Sequence, residues 1–370
     1  MTMNYEIEFH PVGDATKAGD AISVRCGLNG NYEVLVVDGG TSDSGKNLVE
    51  HIKRFYGENT VIAHAISSHP DSDHASGLRE VLRTFEVKNL WVHGLWTHAA
   101  ELLPYYEDKR LTADGLAKKL REAYPVVEEL IELANAQGTS IREPFQGAVI
   151  GPFVVMSPTR YAYTRLVPQF RKGPAPDIDA LKAERFWLGE RPQPNILAQL
   201  IEKAASWIDE TWDIELLREG AVTAAENETS TVLYGSLGSH SVLLTADAGV
   251  NALVWTCDYA NQLGIDLSAL TLVQVPHHGS RSNVTPSVLD RLLGPKQGIA
   301  APAKRSAIVS CPKDDEKHPR KMVVNAFRRR GAPVHKTQGA YFRHFDGIPM
   351  RANEVAAVPF DWFTRVEDYD

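Results

Sequence analysis

The chain has only three cysteines, Cys26, Cys257 and Cys311, which are scattered and never form a Cys-x-x-Cys pair. This excludes a disulfide framework and a thiolate zinc site. No apolar run approaches the roughly 18 residues that a membrane helix needs. Met1 to His10 lacks both a basic start and an apolar core, so no signal peptide is predicted. The expectation is a soluble, cytoplasmic protein with no membrane association. A basic excess is missing too. The net charge is −8, so the chain as a whole is not an obvious nucleic-acid binder. No repeat or low-complexity stretch is visible. What remains is ordinary globular composition over 370 residues, enough for one large domain or two modest ones.

The charge is unevenly placed. From Ala301 to His344, eleven Lys and Arg face three acids, a local balance of +8 against −16 elsewhere. That asymmetry is a clue to an anionic substrate. Within it, Arg328-Arg329-Arg330 reads mainly as a solvated helix end, with nucleic-acid contact as its second use.

The periodicities alternate between strand and helix. Ala21–Cys26 and Glu33–Asp38 are short β-rich runs around an Asn29-Gly30-Asn31 turn. Gly39-Gly40 breaks the second run and lets backbone pass near a site. A helix is predicted from Gly45 to Tyr56, a strand from Val61 to Ser68, a short helix from Gly77 to Thr84 and a strand from Val87 to Trp96. Thr112–Ala136 reads as one long helix kinked at Pro125. Later strands at Phe153–Pro158, Thr231–Ser236, Ser241–Asp247, Thr271–Pro276 and Ala307–Cys311 alternate with helices near Gly249–Leu263, Thr285–Leu293 and Pro319–Arg330. Between them, Arg160–Glu226 is aromatic and Pro-rich early, then helical from Asn195 to Asp209. It carries no catalytic pattern and reads as an insertion, either a lid or a packing appendage. Residues 1–159 and 227–370 then form one α/β core.

The chemistry sits just after strands, where α/β folds keep it. His69-x-Asp71-x-Asp73-His74 puts four metal-capable side chains within six residues. Left unpaired in one short loop, such groups would be costly to bury. Imidazole suits Zn, Fe and Mn, and carboxylate suits harder ions. Two ions need about seven or eight ligands, so others must arrive from elsewhere. Asp247 and His277-His278 each end a predicted strand. A carboxylate such as Asp247 could bridge two metals about 3.5–4 Å apart. Asp247 alone would be an ordinary helix cap, and His278 alone could merely hydrogen-bond.

Asp38 in Val-Val-Asp-Gly-Gly, the His-x-Asp-x-Asp-His loop, Asp247 and His277 follow the order of the metallo-β-lactamase superfamily. Asp71 stands where the superfamily pattern commonly has histidine. With Pro-His-His-Gly-Ser, Ser310 and His318-Pro319, the chain resembles the metallohydrolase domain of ComEC-type competence proteins, from about Phe9 to Phe342, without their membrane channel. The resemblance implies a four-layer αββα sandwich with a helical insertion. It also implies two divalent ions, Zn²⁺ with Mn²⁺ as an alternative. His69 and Asp71 would hold one ion, Asp73, His74 and His277 the other, and Asp247 would bridge. Asp38 would support the ligands from behind. The superfamily's middle histidine has no clear counterpart; Asn227 or Glu228 occupies the matching place. His278, Ser280, Arg281 and His318 are candidates for holding phosphate or protonating a leaving oxygen, and Asp73 and His278 would share in catalysis.

Three functions follow as expectations. The first is a two-metal phosphodiesterase or nuclease on DNA or RNA. The second is a hydrolase of a small ester, lactone, β-lactam, thioester or phosphorylcholine-type substrate. The third is a non-catalytic metal-binding subunit of a defence or competence system. A homodimer or partner proteins of such a system are the expected associations.

Overall fold

In Val34-Leu35-Val36-Val37, side chains point alternately to opposite faces, as a strand requires. Val34 and Val36 enter one apolar core together with helix residues Leu48, Leu82, Leu116 and Leu130. Leu35 and Val37 enter a second core between two sheets. The same division recurs in the other half. Val242, Leu272 and Ile308 face the middle, and Leu243, Val273 and Val309 pack under Leu253, Leu289 and Phe327. The result is helices, sheet, sheet, helices.

These observations come from a computed structural model that describes residues 3–14, 18–28, 30–189 and 207–369. The first sheet holds β1 (Asn4–Phe9), β2 (Ala21–Leu28), β3 (Asn31–Gly39), β4 (Ile62–Ile66), β5 (Val87–Trp91) and β6 (Ser140–Arg142). The second holds β7 (Val149–Ile150), β8 (Phe153–Ser157), β10 (Val232–Leu237), β11 (His240–Leu244), β12 (Leu272–Gln274), β13 (Ser306–Val309) and β14 (Val334–Lys336). β15 (Phe342–Asp346) returns to pair antiparallel with β1 in the first sheet, Ile7 opposite His344. β9 (Trp207–Asp209) and β16 (Arg365–Glu367) form a separate antiparallel pair. β3 to β6 run parallel, as do β11 to β14. Among the described residues, no helix is long and apolar enough to cross a membrane.

Several expectations are corrected. The kinked helix is two helices, Ala113–Ala123 and Pro125–Gln137. Pro125 begins the second, because its missing N–H costs nothing at a first turn. The strand from Val87 stops at Trp91, and Leu95–His98 is a single 3₁₀ turn. The helix expected from Asn195 to Asp209 lies outside the described residues except for its end, which is β9. Gly39 does permit a close backbone approach: a Cβ there would meet the Gly77 backbone, just past the His69–His74 loop, at 2.4 Å.

The arginine run is not a solvated helix end. Arg329 and Arg330 are fully buried at the end of helix Lys321–Arg329. Arg329 pairs with Glu210 at 3.0 Å, and Arg330 with Glu215 at 2.7 Å and Asp290 at 2.8 Å. Buried charges need such partners. The two glutamates lie more than a hundred positions away, out of reach of a local charge count.

Candidate metal centre

The parallel strands of both sheets deliver their C-terminal ends to one place. Asp38 closes β3, His69 follows β4, Asp247 follows β11, His277 and His278 follow β12, and Ser310 follows β13. The backbone is strained there. Of seven described non-glycine residues with positive φ, four are Asp38, Ala246, His277 and His278. Such conformations persist where the surrounding fold enforces them, and they gather at functional sites. Gly279 lies so close to Pro319 that a Cβ would meet it at 2.4 Å, which brings the His318 loop against the histidine pair.

Hydrogen bonds fix the imidazoles in one orientation. His74 Nδ1 donates to Asp38 Oδ2 at 2.9 Å. The Ser68 hydroxyl also donates to Asp38 Oδ2, at 2.5 Å, so its oxygen accepts from His69 Nδ1 at 2.9 Å. His278 Nδ1 donates to the Ser310 carbonyl at 2.9 Å, and His277 Nδ1 to Asn283 Oδ1 at 2.8 Å. Each Nδ1 proton is thereby committed, and each Nε2 lone pair is turned outward as a ligand needs.

Those Nε2 atoms converge on Asp247. His74 and His278 lie 3.4 and 3.8 Å from its Oδ1, and His277 and His69 lie 3.6 and 3.8 Å from its Oδ2. Two ligand atoms on one tetrahedral ion, each about 2.0–2.2 Å from it, sit about 3.3–3.6 Å apart. His69 Nε2, His74 Nε2 and Asp247 Oδ1 are buried with no hydrogen-bond partner among the described residues. Buried polar atoms are rarely left so, and bound cations would satisfy them. His74, Asp247 and His278 form one group able to hold an ion, and Asp38, His69 and His74 form another. In the second group Asp38 already bonds the far side of His74.

Electrostatics agree with a cation-binding site. Burial would push the Asp247 carboxyl up, yet His277, His74 and His278 hold it well below the usual carboxylate range. Burial would lower His74, yet Asp247 and Asp38 raise it well above the ordinary value, so with no ion bound this ring holds a proton that a cation would displace. Burial lowers His278 to about 3, leaving it neutral and able to ligate.

The remaining candidates are placed differently. Asp71 accepts a bond from Arg171, while Asp73 lines a polar groove of about 720 Å³ with Thr41, Ser44, Asn47 and Ser72. The Asn227 amide nitrogen lies 3.4 Å from Asp247 Oδ2 and 3.0 Å from His277 Nδ1. Glu228 points away and accepts from Ala252 N–H at 2.7 Å, at the start of helix Val250–Leu263. His318 is held by Asp315 at 3.0 Å, and burial lowers its pKa. Ser280 is nine-tenths buried beside Ser282, and Arg281 reaches the Asp368 carbonyl.

Sequence reasoning missed Asp20, Ser68 and Arg171. Asp20 is buried 3.8 Å from His74 Nδ1 and accepts from Gln274, and burial pushes its pKa up to about 7. Its signal was available: an acid directly ahead of the apolar strand β2.

Two seven-stranded sheets flanked by helices, with histidines and aspartates at the strand ends, make an architecture consistent with the metallo-β-lactamase sandwich. Residues 22–156 match the family model of the metallo-beta-lactamase superfamily. No curated protein matches the chain. Among solved structures it is similar to the metallo-beta-lactamase fold protein YhfI from Bacillus subtilis, with 10% identity, 93% of this chain and 100% of that one covered, and a TM-score of 0.40. It is also similar to a CmlA beta-hydroxylase mutant at 11% identity, 92% and 53% covered, TM-score 0.40. A long form RNase Z from yeast gives 10% identity, 98% and 40% covered, TM-score 0.35.

Proposed function

We propose that the chain is a metal-dependent hydrolase of phosphodiesters. The observation that carries the metal is the set of buried, unpartnered Nε2 atoms turned toward Asp247. A divalent ion held there, zinc or manganese, supplies Lewis acidity and lowers the pKa of a water. The chain's own part is to orient it: Asp38, Ser68 and the Ser310 carbonyl lock three imidazoles, and Asn283 holds His277. His318, whose Nδ1 is anchored by Asp315, is the residue that, in its imidazolium form, hands the Nε2 proton to the leaving oxygen. The likeness to ComEC-type hydrolases belongs to this proposal and rests on the His69–His74 run, Asp247 and the His277–Ser280 run.

A second reading, hydrolysis of a small ester, lactone or phosphorylcholine-type substrate, is favoured by one specific observation. Two of the arginines that suggested a polyanion are buried in ion pairs. A substrate screen separates the two. Turnover of bis-p-nitrophenyl phosphate and of single-stranded or duplex DNA, lost in Asp247→Asn with the fold intact, is expected. Turnover of nitrocefin or a lactone alone would refute the phosphodiester reading. On DNA, activity must also fall steeply with salt.

A further inference from the structure

Arg171 lies in the loop after helix Arg160–Leu166, a segment with no catalytic pattern, yet it reaches the centre. Its Nη2 donates to Asp71 Oδ2 at 2.7 Å. Its Nε and backbone N–H donate to Glu226 Oε1 at 2.9 and 2.7 Å. Glu226 is 1% exposed and takes a further bond from the Tyr124 hydroxyl at 3.3 Å. The guanidinium is therefore pinned between the His69–His74 loop and the Ala225–Glu228 turn. These are the two segments from which an outer ion would draw its ligands.

The outer donors are already committed. The Asp71 oxygen nearest His69 Nε2 stands 4.0 Å from it and is the one Arg171 holds. Asn227 presents its amide nitrogen to Asp247, and a donor cannot ligate a cation. Glu228 is turned to the N-terminus of helix Val250–Leu263. On the inner side, by contrast, His69 Nε2, His74 Nε2 and Asp247 Oδ1 have no hydrogen-bond partner among the described residues.

We propose that Arg171 takes the place of the second cation, so that the centre holds one divalent ion tightly, on His74, Asp247 and His278. This rests on the metal-dependent reading above. The fixed positive charge beside the ion is then a guanidinium, which fits an anionic phosphoryl oxygen by its planar fork. Half of the Arg171 side chain remains exposed to receive one.

Metal content decides the matter, measured by mass spectrometry after loading with excess Zn²⁺ or Mn²⁺ and desalting. The wild type retains one equivalent. Asp71→Ala also retains one, since Asp71 serves the arginine and not the tight ion. Arg171→Met, which frees Asp71, gains weaker second-site binding, and Arg171→Lys does not. Two tight equivalents in the wild type, or loss of the ion in Asp71→Ala, overturn the proposal while leaving the metal reading intact. No retained metal overturns both. Should Arg171→Met fail to fold, calorimetric titration of the wild type with Mn²⁺ discriminates instead: one tight step supports the proposal and two refute it.

Discussion

The neighbours of His74 turn its Nε2 outward, as a ligand needs. Asp38 takes its Nδ1 proton and is itself held by the Ser68 N–H at 2.8 Å, so the ring cannot turn. Replacing such a partner typically weakens metal binding about 10–100-fold. Asp38→Asn should therefore lower affinity by about that factor in a chelator competition, with near-wild-type melting. His93 is the opposite case. It is buried, both ring nitrogens lack partners among the described residues, and it stacks on Tyr163 at 4.4 Å. Burial lowers its pKa to about 3, so it folds neutral. The unfolded chain binds the proton first, near pH ~6.5. Stability from this residue is thus full above that value and is lost as pH falls toward about 3. His93→Phe should shrink the drop in melting temperature between about pH 7 and pH 5; an unchanged drop would contradict the assignment. The His69–His74 run, Asp247 and His277-His278 were legible because they pair metal-capable types with strand ends. Ser310 enters the sequence reading only through the family resemblance; its contribution here is a backbone carbonyl, which has no residue-type signal. Arg171 lies a hundred residues from Asp71, and nothing local marks it.

At the level of elements, helix Lys321–Arg329 shows how a charge count misleads. Arg329 is enclosed by Glu210 and by the carbonyls of Thr211, Trp212 and Ile214, so it fastens the 207–219 segment to the second helical layer. Removing one partner of a buried pair costs about 3–5 kcal/mol. Arg329→Met should lose about that much in urea unfolding. A change under about 1 kcal/mol would mean that the pair is solvated. Helices such as Val250–Leu263 match their periodicity closely because one face packs on a sheet. The break at Tyr124 leaves no such sign, since the apolar spacing runs on across Pro125 while only the backbone, at φ −126° and ψ 61°, departs from helix.

Across the whole molecule, two halves of similar construction meet at one edge, the first giving Asp38, His69 and His74, the second Asp247, His277 and His278. The chain end closes the assembly. β15 pairs with β1, and Arg343 and Arg351 bind the buried Glu6 and Glu8. The layered order was legible from alternating strands and helices, but the pairing of a late strand with the first was not, because register between residues as far apart as Ile7 and His344 leaves no local trace. Convergence of the two halves on a cation is the central claim, and metal content of Asp247→Ala tests it most directly. The account predicts that wild-type protein retains a divalent ion through desalting, and that the variant, with an unchanged circular dichroism spectrum, loses it. A folded Asp247→Ala that keeps the full wild-type complement would contradict it.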